Sequence, residues 1–94
     1  MTYSLGFFAS AKKEWDALDA TVQEQFTKKL KERLKLPRIE KDRLNGMKDC
    51  YKIKLRGAGY RLVYQVEEQQ IRIVVVAIGK RERNNVYKAA SKRL

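Results

Sequence analysis

The sequence predicts an α+β fold in which two N-terminal helices and a short C-terminal helix pack on a mainly antiparallel four-stranded sheet. Three observations predict it: an amphipathic helical repeat in the first half, three short apolar or alternating segments in the second, and glycine-containing or polar turns between those segments. The implied order of elements is β-α-α-β-β-β-α. The 94 residues fit one domain, residues 1–94, because no linker, repeat or low-complexity segment divides them.

A change of periodicity near the N-terminus predicts the first strand and the first helix. Tyr3, Leu5 and Phe7 alternate with smaller or polar residues, which is typical of a short strand. Ser10 is a residue type that caps helices, and a helix over roughly 11–18 is predicted to follow it. The side chains that this helix would bury are Ala11, Trp15 and Leu18.

The second helix has the strongest periodic signal in the chain. Its apolar positions recur every four residues, at Val22, Phe26, Leu30 and Leu34. Thr21 and Glu24 have the spacing of a capping box at its start, and Pro37 is predicted to end it. The lysines crowded on its other faces are interpreted mainly as a solvated surface.

The second half predicts three strands and a last helix. The strands span about 50–56, 60–66 and 71–78, with turns at 57–59 and 67–70, and the helix spans roughly 82–93. The strand at 71–78 is apolar at nearly every position, so we expect it to be central and covered on both faces. The last helix carries Val86, Tyr87 and Ala90 on one side.

Charge limits the classes of function. The net charge is +11, and residues 50–94 hold 11 basic and 3 acidic residues, a net +8. Such a domain suits nucleic acid, an anionic membrane surface or an acidic protein partner. Cys50 is the only cysteine, which excludes an internal disulfide or a cysteine metal cluster, and no cofactor is predicted. No apolar run approaches the ~20 residues of a membrane span, so a soluble, cytoplasmic protein is expected.

The hairpin at 50–66 is predicted to gather cations on one face. The register that pairs apolar and aromatic residues matches Leu55 with Tyr60, Ile53 with Leu62 and Tyr51 with Tyr64. The same register puts Lys54 opposite Arg61, with Lys52 on the same face. A longer, four-residue loop would shift the pairing by two residues but would keep these three cations on one face. Like charges in this arrangement destabilise a sheet, and local rules of this kind tend to break at functional sites. The alternative is an exposed face of splayed cations without a function.

Two further residues extend this cluster. Arg81 follows the third of these strands directly, and Tyr87 lies six residues later in the last helix. Cations for phosphate together with an aromatic ring for a base are how single-stranded nucleic acid is held. The alternative for Tyr87 is a role in packing alone.

At these residues the chain resembles RelE-type toxins of bacterial type II toxin–antitoxin systems, within the RelE/ParE superfamily. The resemblance covers essentially the whole chain, and its most specific stretches are PRIE (37–40), GM (46–47), DCYKIKLR (49–56), GYRLVYQV (59–66), GKRER (79–83) and VY (86–87). It implies a ribosome-dependent mRNA interferase. Such an enzyme cuts mRNA in the ribosomal A site when a ribose 2′-OH attacks the adjacent phosphate.

The resemblance also implies a site and partners. Its working residues fall on Lys52, Lys54, Arg61, Arg81 and Tyr87. The expected partners are a RelB-like antitoxin, the ribosome with its 16S rRNA and mRNA, and operator DNA through the antitoxin. One departure is Asn45, where close relatives carry a basic residue, and it affects a ribosomal RNA contact rather than the chemistry.

The chain contains no histidine, so proton transfer needs other groups. A lysine among cations has a lowered pKa. We hypothesise that Lys52 takes the 2′-OH proton and Lys54 helps to protonate the 5′-oxygen. Arg61 and Arg81 would stabilise the phosphorane, and Tyr87 would orient or stack on the nucleotide.

Three other functions compete with this hypothesis. A gyrase-poisoning toxin of the same fold would lack the five residues of the implied site. A non-enzymatic nucleic-acid-binding module would bind in a strongly salt-dependent way without cutting. A pure interaction protein would leave the cation cluster without a purpose.

Overall fold

The protein, seen in a computed structural model that describes residues 2–82 and 85–94, is a four-stranded sheet with helices on both faces. The described elements are β1 (Ser4–Phe7), α1 (Ala9–Asp16), α2 (Ala20–Lys35), β2 (Cys50–Leu55), β3 (Tyr60–Glu67), β4 (Arg72–Lys80) and α3 (Asn85–Arg93), with a 3₁₀ turn at Glu40–Asp42. This order confirms the predicted fold class.

The sheet has the strand order β1-β4-β3-β2. Two of its three pairings, β2 with β3 and β3 with β4, are antiparallel, whereas β1 runs parallel to β4. The sheet is therefore mixed, and "mainly antiparallel" describes it correctly. β4 is flanked by a strand on each side, and every residue from Ile73 to Ile78 is buried, as expected for a central strand.

Both predicted N-terminal helix caps are wrong. α1 begins at Ala9, so Ser10 lies inside its first turn, and the capping position is taken by Phe8, which makes no side-chain cap bond. At the start of α2 the cap is Asp19, whose carboxylate accepts a hydrogen bond from the Val22 backbone N–H at 2.9 Å. Aspartate caps as well as serine does, and it stands one residue before the helix. Thr21 is thereby placed within the first turn rather than before it.

Two hydrophobic clusters cover the two faces of the sheet. The helices α1 and α2 pack on one face, where Phe26 and Leu30 meet the buried side chains of the β2–β3 hairpin, among them Ile53 and Leu62. On the other face α3 contributes Val86 and Ala90 to a smaller cluster with sheet residues Cys50, Val63, Val76 and Ala77. The smaller cluster leaves part of its face uncovered, and the basic side chains of the hairpin lie there.

The segment after α2 is tied to the sheet by a buried tyrosine. α2 ends at Lys35, two residues before Pro37 as predicted. The Tyr64 hydroxyl donates to the Pro37 carbonyl at 2.6 Å and accepts from Arg33 Nη1 at 2.9 Å. Arg33 also donates to the Asp42 carboxylate at 2.7 Å. These bonds fix the 37–42 segment beneath β2.

The C-terminal elements differ slightly from the predicted bounds. β4 continues to Lys80, two residues beyond the predicted end of the strand at 78. α3 begins at Asn85. The predicted helix start at 82 adjoins residues 83 and 84, which lie outside the described residues, as does Arg83 of the quoted GKRER stretch. Within residues 2–82 and 85–94, no helix is both long enough and apolar enough to cross a lipid bilayer.

Candidate functional site

Three basic side chains share one face of the β2–β3 hairpin, and we call Lys52, Lys54 and Arg61 the cationic face. The observed register pairs Lys54 with Arg61 and Lys52 with Val63, as the sequence predicted. Lys54 is exposed, whereas Lys52 and Arg61 are half-buried. The register therefore holds like charges opposite each other, with an open side toward solvent.

The opposite face of the same hairpin explains why the cations stay where they are. Tyr51 pairs with Tyr64, and their stacked rings have centroids 5.7 Å apart. Ile53 pairs with Leu62, and both are buried against α2. Because side chains alternate along a strand, a slip of one residue would drive the lysines into this core. Burial of the aromatic and aliphatic face thus offsets the repulsion on the cationic face.

The charges of the cationic face perturb one lysine in particular. The nearby charge of Lys52, followed by partial desolvation and the charge of Arg61, lowers the pKa of Lys54 below its ordinary value of 10.5. A lowered pKa increases the neutral fraction of an amine at physiological pH. The charges around Lys54 therefore favour its neutral form, which can accept a proton.

The side chain of Tyr87 reaches the cationic face from α3. The Arg61 guanidinium carbon lies 5.4 Å from the centroid of the Tyr87 ring, which is the geometry of a cation–π contact. The ring is half-buried beside the smaller hydrophobic cluster. Its hydroxyl is buried and has no hydrogen-bond partner among the residues that the structure describes. Tyr87 is thus both a packing residue and a ring next to a cation of the cationic face.

Arg81 lies just beyond the end of β4, close to the β2–β3 turn. Its backbone N–H donates to the Gly59 carbonyl at 3.0 Å, and its side chain is exposed. Gly59 has a φ of +72°, a conformation that glycine adopts without strain. Arg61 pairs with Gly79, two residues before Arg81. The backbone thus brings Arg81 to the same end of the hairpin as the cationic face.

The single cysteine lies on this face but is not a nucleophile. Cys50 is fully buried. Burial, with a smaller contribution from the charge of Asp49, raises the pKa of its thiol to about 11. A buried thiol with a raised pKa is unreactive at neutral pH.

Sequence reasoning treated the lysines of α2 as solvated surface, and the structure gives two of them a defined position. A groove of about 990 Å³ runs between α2 and the free edge of β2. Basic residues contribute much of its lining, with Lys28 and Lys29 from α2, Lys41 beyond it, and Arg56 after β2. Helical periodicity does not reveal this, because the groove depends on where the edge strand lies.

Sequence reasoning also missed an ion pair between the two ends of the chain. Glu14 of α1 and Arg93 of α3 form a partly buried pair that links α3 to the rest of the fold. They lie 79 positions apart, so no local sequence signal joins them. Among residues 2–82 and 85–94, no group of three or more acidic, cysteine or histidine side chains is placed to hold a metal ion.

Comparison with known proteins gives a consistent result over the whole chain. The family described as ParE toxin of the type II toxin–antitoxin system parDE matches residues 7–85. The mRNA interferase toxin RelE of Escherichia coli K12 is 55% identical over 94 residues, which is 100% of this chain and 99% of that protein. The mRNA interferase RelE of Shigella flexneri matches to the same extent, at 55% identity over 94 residues.

Solved structures of RelE proteins are similar to this chain over most or all of its length. The free E. coli toxin RelE carrying R81A/R83A has a TM-score of 0.92 and 53% identity, covering 100% of this chain and 99% of that one. The toxin chain of the intact E. coli RelBE toxin–antitoxin complex has a TM-score of 0.83 and 56% identity, covering 86% of this chain and 99% of that one. A chain of the archaeal RelE–RelB complex from Pyrococcus horikoshii OT3 has a TM-score of 0.66 and 23% identity, covering 88% of this chain and 99% of that one, and it shares the fold.

Proposed function

The chain belongs to the RelE family of type II toxins, and from that membership we propose that it is a ribosome-dependent endoribonuclease that cuts mRNA in the ribosomal A site. The residues 1–94 would form one toxin domain. Cleavage of message in the decoding site stops translation, which accounts for toxicity.

The observation that carries this proposal is the cationic face with an aromatic ring beside it. Lys52, Lys54 and Arg61 offer positive charge to a phosphate. Tyr87, in contact with Arg61, offers a ring to a nucleotide. Phosphate-binding cations and a stacking aromatic are the two requirements for holding single-stranded RNA. Relatives that are 55% identical over the full length bear the name mRNA interferase, which agrees with this chemistry.

The proposed reaction is a transfer within the RNA chain. The ribose 2′-oxygen attacks the adjacent phosphorus while a base removes its proton. The bond from phosphorus to the 5′-oxygen breaks, and an acid protonates that leaving group. The products are a 2′,3′-cyclic phosphate end and a 5′-OH end, and a later attack by water that opens the cyclic ester would give a 3′-phosphate end. Arg61 and Arg81 would stabilise the charge on the phosphorane, and Tyr87 would orient or stack on the nucleotide.

The lowered pKa of Lys54 bears on which lysine is the base. The hypothesis drawn from sequence gives that role to Lys52 and the acid role to Lys54. Lys54 is the lysine whose pKa is lowered, chiefly by the charge of Lys52, which favours the opposite division. We therefore propose Lys54 as the base and Lys52 as the cation that helps to protonate the leaving oxygen.

Dependence on the ribosome follows from the composition of this site. None of the five proposed site residues is a histidine or a carboxylate, the usual acid–base groups. Holding the reacting groups in line supplies up to about 7–11 kcal/mol of a barrier. The ribosome would supply that alignment for mRNA, so free RNA should be cut poorly.

The proposed partners follow from the family and from charge. Structures of the relatives include complexes of RelE with RelB, and we propose a RelB-like antitoxin for this chain. A net charge of +11 favours an acidic antitoxin and the phosphates of mRNA and 16S rRNA. Operator DNA would be contacted through the antitoxin. A cytoplasmic location would follow from these partners.

One alternative has a specific observation in its favour, since the matching family is described by the name ParE. A gyrase-poisoning toxin would inhibit supercoiling and leave mRNA intact. The full-length identity of 55% to RelE proteins favours RNA cleavage. A gyrase supercoiling assay beside an RNA cleavage assay separates the two functions.

The deciding experiment maps mRNA ends in a translating extract, with ribosomes and with naked message. The wild-type protein should cut within A-site codons and leave naked RNA nearly untouched. Arg81→Ala should lower the rate by about 10²–10³, the effect of losing one group that stabilises transition-state charge. Arg72→Ala is the matched control, because Arg72 is an exposed arginine at the opposite end of β4.

The outcomes distinguish the parts of the proposal. If a folded Arg81→Ala protein cuts at the wild-type rate, the site is misplaced. Equal cutting of naked and ribosome-bound RNA would refute ribosome dependence. Gyrase inhibition without cut ends would establish the alternative.

A further inference from the structure

The C-terminal helix is fastened to the rest of the fold at its last turn. Arg93 donates from Nη1 to Glu14 Oε1 at 2.8 Å and from Nη2 to Glu14 Oε2 at 3.0 Å. This is a bidentate arginine–carboxylate pair, the geometry that gives both strength and orientation. Its side chains are only 23% and 33% exposed, so it is shielded from solvent more than an ordinary surface pair.

The same pair also serves the open edge of β4. β1 pairs with β4 only as far as Val75. Beyond that point the Val76 carbonyl accepts from Arg93 Nη1 at 2.8 Å, and the Ile78 N–H donates to Glu14 Oε1 at 3.1 Å. Buried backbone groups need such partners. Four hydrogen bonds therefore join α1, β4 and α3 at one place.

A short helix needs such an attachment. α3 has 9 residues, and isolated helices of this length are marginal in water. Its first turn is held by Val86, which is buried in the smaller hydrophobic cluster with Val76 and Ala77. Its last turn is held by Arg93. Between these two attachments Tyr87 projects onto Arg61, with a hydroxyl that has no hydrogen-bond partner in the described part of the chain. The Tyr87 side chain therefore gains no direction from a bond of its own hydroxyl.

We infer that Glu14 and Arg93 are positioning residues for RNA cleavage, which hold α3 so that the Tyr87 ring stays against Arg61. Neither residue belongs to the proposed site. Their effect on cleavage would pass through Tyr87, and this inference rests on the proposed function for its kinetic readout. A shift of about 1 Å at a reacting centre can cost about 10²-fold in rate, so loss of the fastening should be measurable.

The test compares Arg93→Ala with Lys92→Ala in single-turnover cleavage of ribosome-bound message. Lys92 is the adjacent, exposed cation of the same helix, so both variants lose one positive charge. Arg93→Ala should lower the maximal rate by roughly 10- to 100-fold with little change in the ribosome concentration at half-maximal rate. Lys92→Ala should keep the wild-type maximal rate. Arg93→Lys, which retains the positive charge but loses the bidentate fork, should recover part of that rate.

A double-mutant cycle shows whether the effect passes through Tyr87. If Arg93 acts by placing that ring, Arg93→Ala should cost nothing further in a Tyr87→Ala background. Independent, additive losses would overturn the inference. Glu14→Gln is the second variant, because the amide keeps an acceptor for the Ile78 N–H while losing the charged pair. Glu14→Gln should lower the maximal cleavage rate as Arg93→Ala does, with a smaller decrease in the free energy of unfolding.

An NMR experiment tests the position of the Tyr87 ring independently of RNA cleavage. Nuclear Overhauser contacts between the Tyr87 ring protons and the Arg61 side chain should be present in the wild type and in Lys92→Ala, and lost in Arg93→Ala. Persistence of these contacts in a folded Arg93→Ala protein would overturn the inference. If the wild type cuts no RNA but the contacts are lost in Arg93→Ala and kept in Lys92→Ala, the proposed function is refuted and the fastening of α3 by Arg93 remains supported.

Discussion

Replacing Tyr64 by phenylalanine removes one oxygen from the interior while leaving every ring contact in place. That oxygen donates to the Pro37 carbonyl at 2.6 Å and accepts from Arg33 Nη1 at 2.9 Å. Arg33 in turn donates to the Lys52 carbonyl at 3.4 Å, on the strand of the cationic face. The substitution therefore tests how much the support beneath that strand contributes to the free energy of unfolding.

The magnitude follows from the two bonds that are lost. The bond to the carbonyl is a neutral one, worth about 0.5–1.5 kcal/mol net, and the bond from the guanidinium is worth about 1.5–3 kcal/mol. Tyr64 is fully buried, so water cannot readily replace either bond. Tyr64→Phe should therefore destabilise the protein by about 2–4.5 kcal/mol. For a domain of this size that corresponds to a fall in Tm of about 8–36 °C.

Tyr51→Phe is the matched control. Its ring is equally buried and stacks on Tyr64, but its hydroxyl accepts a single bond, from Arg38 Nη1 at 3.2 Å. Arg38 is partly exposed and keeps its carboxylate partners Glu68 and Asp49. We expect Tyr51→Phe to lower the free energy of unfolding by less than about 1 kcal/mol, because water can replace the missing hydroxyl as the acceptor for Arg38.

Urea unfolding followed by circular dichroism measures both variants, with equal m-values as the check that only stability has changed. RNA cleavage at a temperature where both remain folded should differ little between them. If Tyr64→Phe is no less stable than Tyr51→Phe, the hydrogen bonds of the Tyr64 hydroxyl do not stabilise the hairpin.

Three further predictions concern Lys54, Tyr87 and the buried Cys50. Lys54→Gln should raise Tm at neutral pH, because it removes the repulsion between Lys54 and its neighbouring cations, and it should abolish cleavage. The pKa of Lys54 in the folded protein lies below 10.5, so this repulsion is fully present below that folded pKa and fades as the pH rises through it. The gain in Tm should therefore shrink towards pH 10.5. A gain in Tm that does not change with pH would contradict this. Tyr87→Phe should stabilise the protein by about 1 kcal/mol in urea unfolding, because it removes a buried hydroxyl without a partner among the described residues; destabilisation would mean that the hydroxyl is bonded. Cys50 should react with iodoacetamide only on unfolding, since burial raises its pKa to about 11; labelling of the native protein would refute that.

The hairpin register could be predicted from sequence because one face had to be apolar. Leu55, Ile53 and Tyr51 alternate with basic residues, and only one class of register buries all three without burying charge. The position of β4 could be predicted for a similar reason, since its continuous apolar run suits a strand covered on both faces. Periodicity was a sufficient guide wherever a whole face is buried.

The helix starts could not be predicted as well. Asp19, Ser10 and Thr21 are all good capping residues, and the choice among them depends on where the chain leaves the preceding element. The Glu14–Arg93 pair could not be predicted for another reason, because it depends on a tertiary contact between the two ends of the chain. Local propensity carries no information about such pairs.

In the proposed function, the cationic face would link activity and neutralisation through a single physical cause. Lys52, Lys54 and Arg61 repel one another, and burial of Tyr51, Ile53 and Leu62 on the other side of the hairpin offsets that cost. Any anion that settles on this face relieves the repulsion and raises stability, whether it is an RNA phosphate or a carboxylate of an acidic partner. An acidic antitoxin that covers the face would therefore compete directly with RNA. Its affinity would depend on the same side chains as cleavage, so a charge-removing substitution such as Lys54→Gln should weaken both.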